Sequence, residues 1–172
     1  MKKDKLRKTF HLAAFIAFAT LASLCTAGAF ASDAAGLRSR ITDTAKKHLG
    51  ARYNYGGVGR SGFDCSGFVQ HVFHENGIEL PRSTPDQFAG GKKIELYDVQ
   101  PGDLVFFRIC GGRISHVGIF VAQTTFIHAP SSGKRVSFAD MNLEYWKKRF
   151  AGAVTYIGQD RNRTPAGAPE KK

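Results

Sequence analysis

Apolar residues recur every fourth position at Leu37, Ile41, Ala45 and Leu49, with polar and charged residues between them. That spacing keeps one helical face apolar, so it predicts a helix over Leu37–Leu49, ended by Gly50. A second helical pattern runs from Cys65 to Asn76, where Phe68, Val69, Val72 and Phe73 share a face. Asp64 stands at its N-cap position and Gly77 at its C′ position. Between the two, residues 52–62 are rich in Gly and Tyr and read as an irregular loop. Pro81–Gly91 reads as a loop with one helical turn near Pro85-Asp86-Gln87-Phe88. Further on the pattern changes. After turn chemistry at Pro101-Gly102-Asp103, three β-branched and aromatic runs read as strands: Leu104–Ile109, Ser115–Val121 and Thr125–His128. Val136–Phe138 is a candidate fourth strand, Leu143–Arg149 a short helix and Ala151–Ile157 a final strand. Helices first and an antiparallel sheet after is an α+β pattern.

The first thirty-one residues follow a different logic. Lys2, Lys3, Lys5, Arg7 and Lys8 precede an apolar run from Leu12 to about Leu24, and Ala29-Phe30-Ala31 follows. This is the order of a cleaved secretory signal, so residues 1–31 are expected to be a leader. The apolar run is short for a membrane span. Cys25 is the one lipidation candidate, but Leu24 before it is too large for a lipoprotein signal, which disfavours membrane anchoring. The domain is then expected over residues 32–157, with a polar, disordered tail over 158–172.

Charge narrows the partners. The chain carries 25 Lys and Arg against 14 Asp and Glu. Removing the leader takes five of the basic and one of the acidic residues and leaves a net charge of about +7. A basic exported protein suits an anionic wall polymer or acidic lipid. Export, and the lack of a long basic block or recognition-helix motif, argue against nucleic acid. A monomer is expected.

Candidate chemistry centres on Gly62-Phe63-Asp64-Cys65-Ser66-Gly67. A thiol attacks as the thiolate, and a helix start offers unpaired N–H groups and the positive end of the helix dipole. Cys65 is placed there. The same amides can receive an oxyanion, and the glycines can let a substrate backbone come close. A cysteine nucleophile needs a base, usually His. His71 and His74 lie further along the same helix and read as solvated surface residues; with Cys65 their spacing is not one that zinc sites use, and no metal is expected. His48 reads as a cation at the end of the first helix. His116 and His128 lie in apolar strands, and a hairpin centred on Ala122 puts them directly opposite each other. That geometry suits His116 as base and His128 as the group that fixes its tautomer. Cys110, in a Gly-rich loop, is expected to stay apart from Cys65.

Taken together, several blocks resemble the NlpC/p60 cell-wall peptidases, a papain-like class. They are Tyr53-Asn54-Tyr55-Gly56-Gly57, Phe63 to Val69, Leu80-Pro81-Arg82-Ser83, Pro101 to Phe107, His116-Val117-Gly118-Ile119 and Phe126-Ile127-His128-Ala129, in the family order. The resemblance implies a papain-like fold, with N-terminal helices packed on a central antiparallel sheet. It implies Cys65 as nucleophile, His116 as base and His128 as the third, orienting residue. Tyr53 matches a tyrosine that lines the active site, on the oxyanion side; Asp64, Ser66 and Arg82 match positions near the substrate groove. It further implies acyl transfer without a cofactor, on the peptide stems of peptidoglycan in the periplasm or cell envelope. The bond would be the D-Ala–diaminopimelate cross-link or D-Glu–diaminopimelate. Two other readings stay open. One is a wall-binding module of the same fold that does not cleave. The other, a thiol acyltransferase acting on lipids, is disfavoured because such proteins place histidine before cysteine.

Overall fold

The computed structural model describes residues 33–59, 61–131 and 134–159. The expected leader, Cys25 within it, and the tail from residue 160 onward lie outside the described residues. The chain divides into two units at Gly36 and Leu37. Of the first, residues 33–36 are described and are helical. The second holds everything that follows.

It opens with α1, residues 37–47, whose Ile41 and Ala45 are fully buried, as the four-residue spacing predicts. Gly50 turns the chain with φ of 83°, which favours glycine. The segment expected to be an irregular loop is more ordered than its composition suggests. It holds a two-stranded ribbon, β1 (Val58–Gly59) and β2 (Gly62–Phe63), paired Val58 to Phe63. The helix α2, Cys65–Glu75, starts and stops where its caps predict, with Phe68, Val69, Val72 and Phe73 fully buried. A further helix, α3 (Thr84–Gly90), replaces the single turn expected there; the Ser83 side chain caps it at the Asp86 amide.

Six strands form one antiparallel sheet in the order β3-β8-β4-β5-β6-β7. They are β3 (Lys92–Ile94), β4 (Leu104–Phe107), β5 (His116–Ala122), β6 (Thr125–His128), β7 (Ser137–Asp140) and β8 (Phe150–Thr155). The short helix α4, Glu144–Lys147, precedes β8. Strand β3 escapes sequence reading because it is a mostly exposed edge of Lys-Lys-Ile. All four residues of β4 are buried, so the central strand is covered on both faces. Each such side chain contributes about 2 kcal/mol by leaving water. On one face Val105, Phe107, Phe126 and Ala153 pack with Trp146 from α4. The helix α2 packs against β5.

The Pro101-Gly102-Asp103 turn is a clamp. Asp103, 1 % exposed, accepts from Arg38 of α1 at 2.8 Å and from the Gln100 amide at 2.8 Å. The buried carboxylate thereby ties the first helix to the start of β4.

Close packing also fixes the start of α2. A Cβ at Gly67 would lie 2.1 Å from the Gly57 carbonyl oxygen, and one at Gly57 would lie 2.4 Å from the Gly62 carbonyl oxygen. Gly67 is therefore needed so that the chain's own loop can seat on the helix, a different reason from the substrate clearance expected of it. Gly67→Ala should destabilise the protein by about 1–3 kcal/mol, because backbone cannot rotate out of the way. Urea denaturation measures this; an unchanged midpoint would show that the loop yields freely.

Candidate active site

The carboxylate of Asp64 assembles the site. Its Oδ1 accepts from the Gly67 amide at 2.7 Å, capping α2, and from Arg82 Nη1 at 3.1 Å. Its Oδ2 accepts from the Gly56 amide at 3.0 Å and from Arg82 Nη2 at 2.5 Å. Ser66 Oγ donates to Oδ1 at 3.3 Å and accepts from Arg82 Nη1 at 2.8 Å. Burial alone would raise the pKa of Asp64, but the Arg82 guanidinium, the Gly67 amide and the Ser66 hydroxyl hold it below the usual carboxylate value. Asp64, Ser66 and Arg82, matched above to groove positions, are thus brought together, and their polar atoms engage one another at the helix start. The Arg82 side chain remains 41 % exposed.

Cys65 is the first residue of α2. Its Sγ lies 3.7 Å from Thr84 Oγ1 and 3.8 Å from the Ser115 carbonyl oxygen. The nucleophile candidate therefore meets the strand that carries His116, one residue before it. The electrostatics differ from the simple helix-start expectation. Burial pushes the Cys65 thiol above its ordinary pKa, and the Asp64 carboxylate adds to this. The Thr84 hydroxyl and the backbone amides of Ser66 and Val117 pull the other way without prevailing. At rest the sulfur holds its proton.

His116 and His128 are buried and meet at 2.8 Å, Nε2 of His116 to Nδ1 of His128. They do not face each other across the hairpin as a turn centred on Ala122 requires. The observed pairs are Ile119–Ile127 and Phe120–Phe126, with a register shift before Ala122–Thr125 and Gln123 at φ of 50°. That register moves the two histidines to a diagonal relation on the same face, still within reach for long side chains. Trp146 holds both rings. It stacks on His116 at 5.6 Å and 24°, and stands edge-on to His128 at 5.2 Å and 89°. Burial and the neighbouring His128 lower the His116 pKa to about 3. Burial and the Lys134 charge lower that of His128 to about 4.

Tyr53 is half-buried, its amide bound to the Lys134 carbonyl at 3.0 Å. Burial raises its pKa, with Cys65 and Asp64 adding to the effect, so the hydroxyl keeps its proton. A cavity of about 360 Å³ opens at the histidines, lined also by Ile109, Leu143, Tyr145 and Trp146, with Lys134 supplying a cation. Thr84 and Trp146 were not found from sequence. Both act through tertiary contact, and neither carries a local signal beyond its residue type.

The other candidates fall elsewhere. Cys65 and Cys110 are both free thiols, the second exposed. His74 is exposed and pairs with Glu79 at 2.7 Å. Burial and the nearby His71 lower the pKa of His48, which works against the role of helix-end cation expected for it. Instead it meets His71 edge-on, with ring centroids 5.0 Å apart.

Two expected outcomes follow from these contacts. Thr84→Val removes a group that stabilises the thiolate, so the pH midpoint of iodoacetamide labelling at Cys65 should move upward; an unmoved midpoint would remove Thr84 from the site. The histidine pair should also make stability depend on pH. Above pH 6.5 neither the folded nor the unfolded chain protonates these rings. As pH falls toward about 4, the unfolded chain binds protons that the folded state refuses. Stability contributed by the pair is therefore present above pH 6.5 and lost below it, by about a few kcal/mol. His128→Gln should flatten the urea-denaturation stability curve between pH 6.5 and 4 relative to the parent.

Comparison with known proteins bears on the family. Residues 50–155 match the NlpC/P60 family. The chain is 45% identical over 115 residues to Murein DD-endopeptidase MepS/Murein LD-carboxypeptidase of Escherichia coli (strain K12), covering 66% of this chain. It spans 60% of the length of that relative. It is 46% identical over 112 residues to a probable endopeptidase of Haemophilus influenzae, covering 64% of this chain and 69% of that protein. The crystal structure of the NlpC/p60 domain of peptidoglycan hydrolase SagA aligns with a TM-score of 0.60 at 33% identity, covering 69% of this chain and 97% of that one. The motif blocks, the helix-then-sheet architecture and these matches agree: the chain belongs to the NlpC/P60 family.

Proposed function

We propose that the protein is a peptidoglycan endopeptidase that cleaves stem-peptide bonds at diaminopimelate by a Cys65–His116–His128 thiol mechanism. The observation that carries the reading is the buried His116–His128 pair at 2.8 Å, with His116 opening a strand whose preceding carbonyl touches the Cys65 thiol. The names of the relatives, a murein endopeptidase and a peptidoglycan hydrolase, supply the substrate class.

The mechanism follows from the resting charges. With Nε2 of His116 directed at His128, Nδ1 is left for the thiol. His116 then carries its proton on Nε2 and donates it to His128 Nδ1. As Cys65 Sγ attacks the peptide carbonyl carbon, its proton passes to His116 Nδ1, and the imidazolium formed is held by His128. The Cys65 amide and the protonated Tyr53 hydroxyl receive the oxyanion. His116 then returns the proton to the leaving amine as the C–N bond breaks. Water, deprotonated by His116, releases the acyl group from sulfur. Asp64, Ser66 and Arg82 position the helix start, and Arg82 also borders the groove. The cavity beside the histidines receives one side of the stem peptide.

In this reading the N-terminal leader exports the chain to the periplasm or envelope, where a basic, monomeric domain meets the wall polymer. Among the described residues no helix is long and apolar enough to cross a membrane.

Digestion of purified sacculi tests the proposal, with fragments identified by mass spectrometry. The parent should release stem or cross-link fragments. Cys65→Ala and His116→Ala should each lower the rate by about 10²–10⁴-fold, as expected for a nucleophile and its base. His128→Gln, which keeps an acceptor, should retain more activity than His128→Ala. Binding to sacculi without cleavage by the parent would overturn the enzyme reading in favour of a binding module.

A further inference from the structure

We propose that His48, His71 and Glu75 form a binding site for one transition-metal dication of the zinc type, separate from the catalytic thiol. One donor atom from each of the three lies within 4.8 Å of the others. His71 and Glu75 stand one turn apart on α2, with Nε2 and Oε1 at 3.0 Å. His48 reaches them from the turn that follows α1. The three ligands thus come from two elements far apart in sequence, and the fold brings them together.

The imidazoles are held by an aromatic floor. The His48 ring stands edge-on to Phe63 at 5.3 Å and to Phe68 at 6.4 Å, while Phe63 also packs against His71 at 5.2 Å. Packing of this kind limits ring rotation before any ion arrives, which lowers the ordering needed on binding. The opposite side is open to water, with the Glu75 side chain 45% exposed and that of His71 26%. Solvent can therefore enter and complete the coordination.

The donor set selects the ion. Two imidazole nitrogens and one carboxylate suit zinc and its neighbours, with a fourth position left for water. Calcium and magnesium prefer oxygen donors throughout. Ligands about 2.0–2.2 Å from zinc lie roughly 3.3 Å from one another, so the donors, within 4.8 Å of one another, must draw together by up to about 1–2 Å on binding. His71 and Glu75 lie about 9 and 15 Å along the helix axis from Cys65. The ion would therefore staple the end of α1 to the helix that bears the nucleophile, without touching the reacting atoms. The competing account is an ordinary His71–Glu75 surface pair with His48 packed beside it.

The test uses the full chain as a Cys25→Ser, Cys65→Ser, Cys110→Ser variant, so that no thiol competes for metal, after chelator treatment. Titration with Co²⁺ should give one equivalent of a four- or five-coordinate visible spectrum, which Zn²⁺ abolishes, and Zn²⁺ should raise the thermal midpoint. In the same background His48→Ala and Glu75→Gln should each weaken binding by more than about tenfold, since even indirect support of a ligand is worth that much. His74→Ala should leave it unchanged. Glu75→Gln is a near-isosteric change at a surface position, so it keeps the test valid if His48→Ala fails to fold. A six-coordinate spectrum, no binding, or binding indifferent to Glu75→Gln would overturn the proposal; indifference would place the ion at another pair such as His116 and His128.

Discussion

Three stretches of chain converge on the carboxylate of Asp64, and the placement of Cys65 relative to Tyr53 and Thr84 depends on that convergence. The Gly56 amide comes from the glycine-tyrosine loop, the Gly67 amide from the first turn of α2, and the Arg82 guanidinium from the segment before α3. A cap of this kind is worth about 1 kcal/mol to a helix. Its larger effect here is geometric. The loop that carries Tyr53, the helix that begins with Cys65 and the segment leading to Thr84 are fixed relative to one another by a single charged group, which is held ionised by the groups it binds. An apolar residue at this position would leave the Arg82 charge and two amides without that partner.

The second half of the site is built by a different device. The histidines come from the β5–β6 hairpin, and their separation is set by strand register and by the Trp146 ring between α4 and the sheet. Neither half contains a complete reactive group. They meet where the Ser115 carbonyl touches the Cys65 sulfur. Competence therefore depends on long-range packing, and the sheet's close fit turns that packing into fixed distances.

What could be read from sequence follows the range of the interaction. The caps of α2, Asp64 and Gly77, are local and were legible to the residue. The four-residue period of α1 and the buried run of β4 were legible because burial leaves a pattern. The ribbon of β1 and β2 was not, since it consists of two-residue strands, half of whose residues are glycine. The edge strand β3 carries two lysines and so lacks an apolar signature. The hairpin register escaped because it depends on Gln123 adopting a positive φ, which that residue type does not announce. Cys65, His116 and His128 were found as candidates from their residue types and context. Thr84, Trp146 and the meeting of His48 with His71 required the tertiary fold.

A buried sulfur that keeps its proton is a poor target for peroxide and for thiol–disulfide exchange, because both proceed through the thiolate. With His116 also uncharged at neutral pH, no imidazolium is present to stabilise a thiolate at rest. In the mechanism proposed above, the sulfur becomes reactive only as a carbonyl comes within reach and the proton moves in the same event. Burial shelters the Cys65 sulfur in this way, while Cys110, exposed on its loop, lacks that shelter.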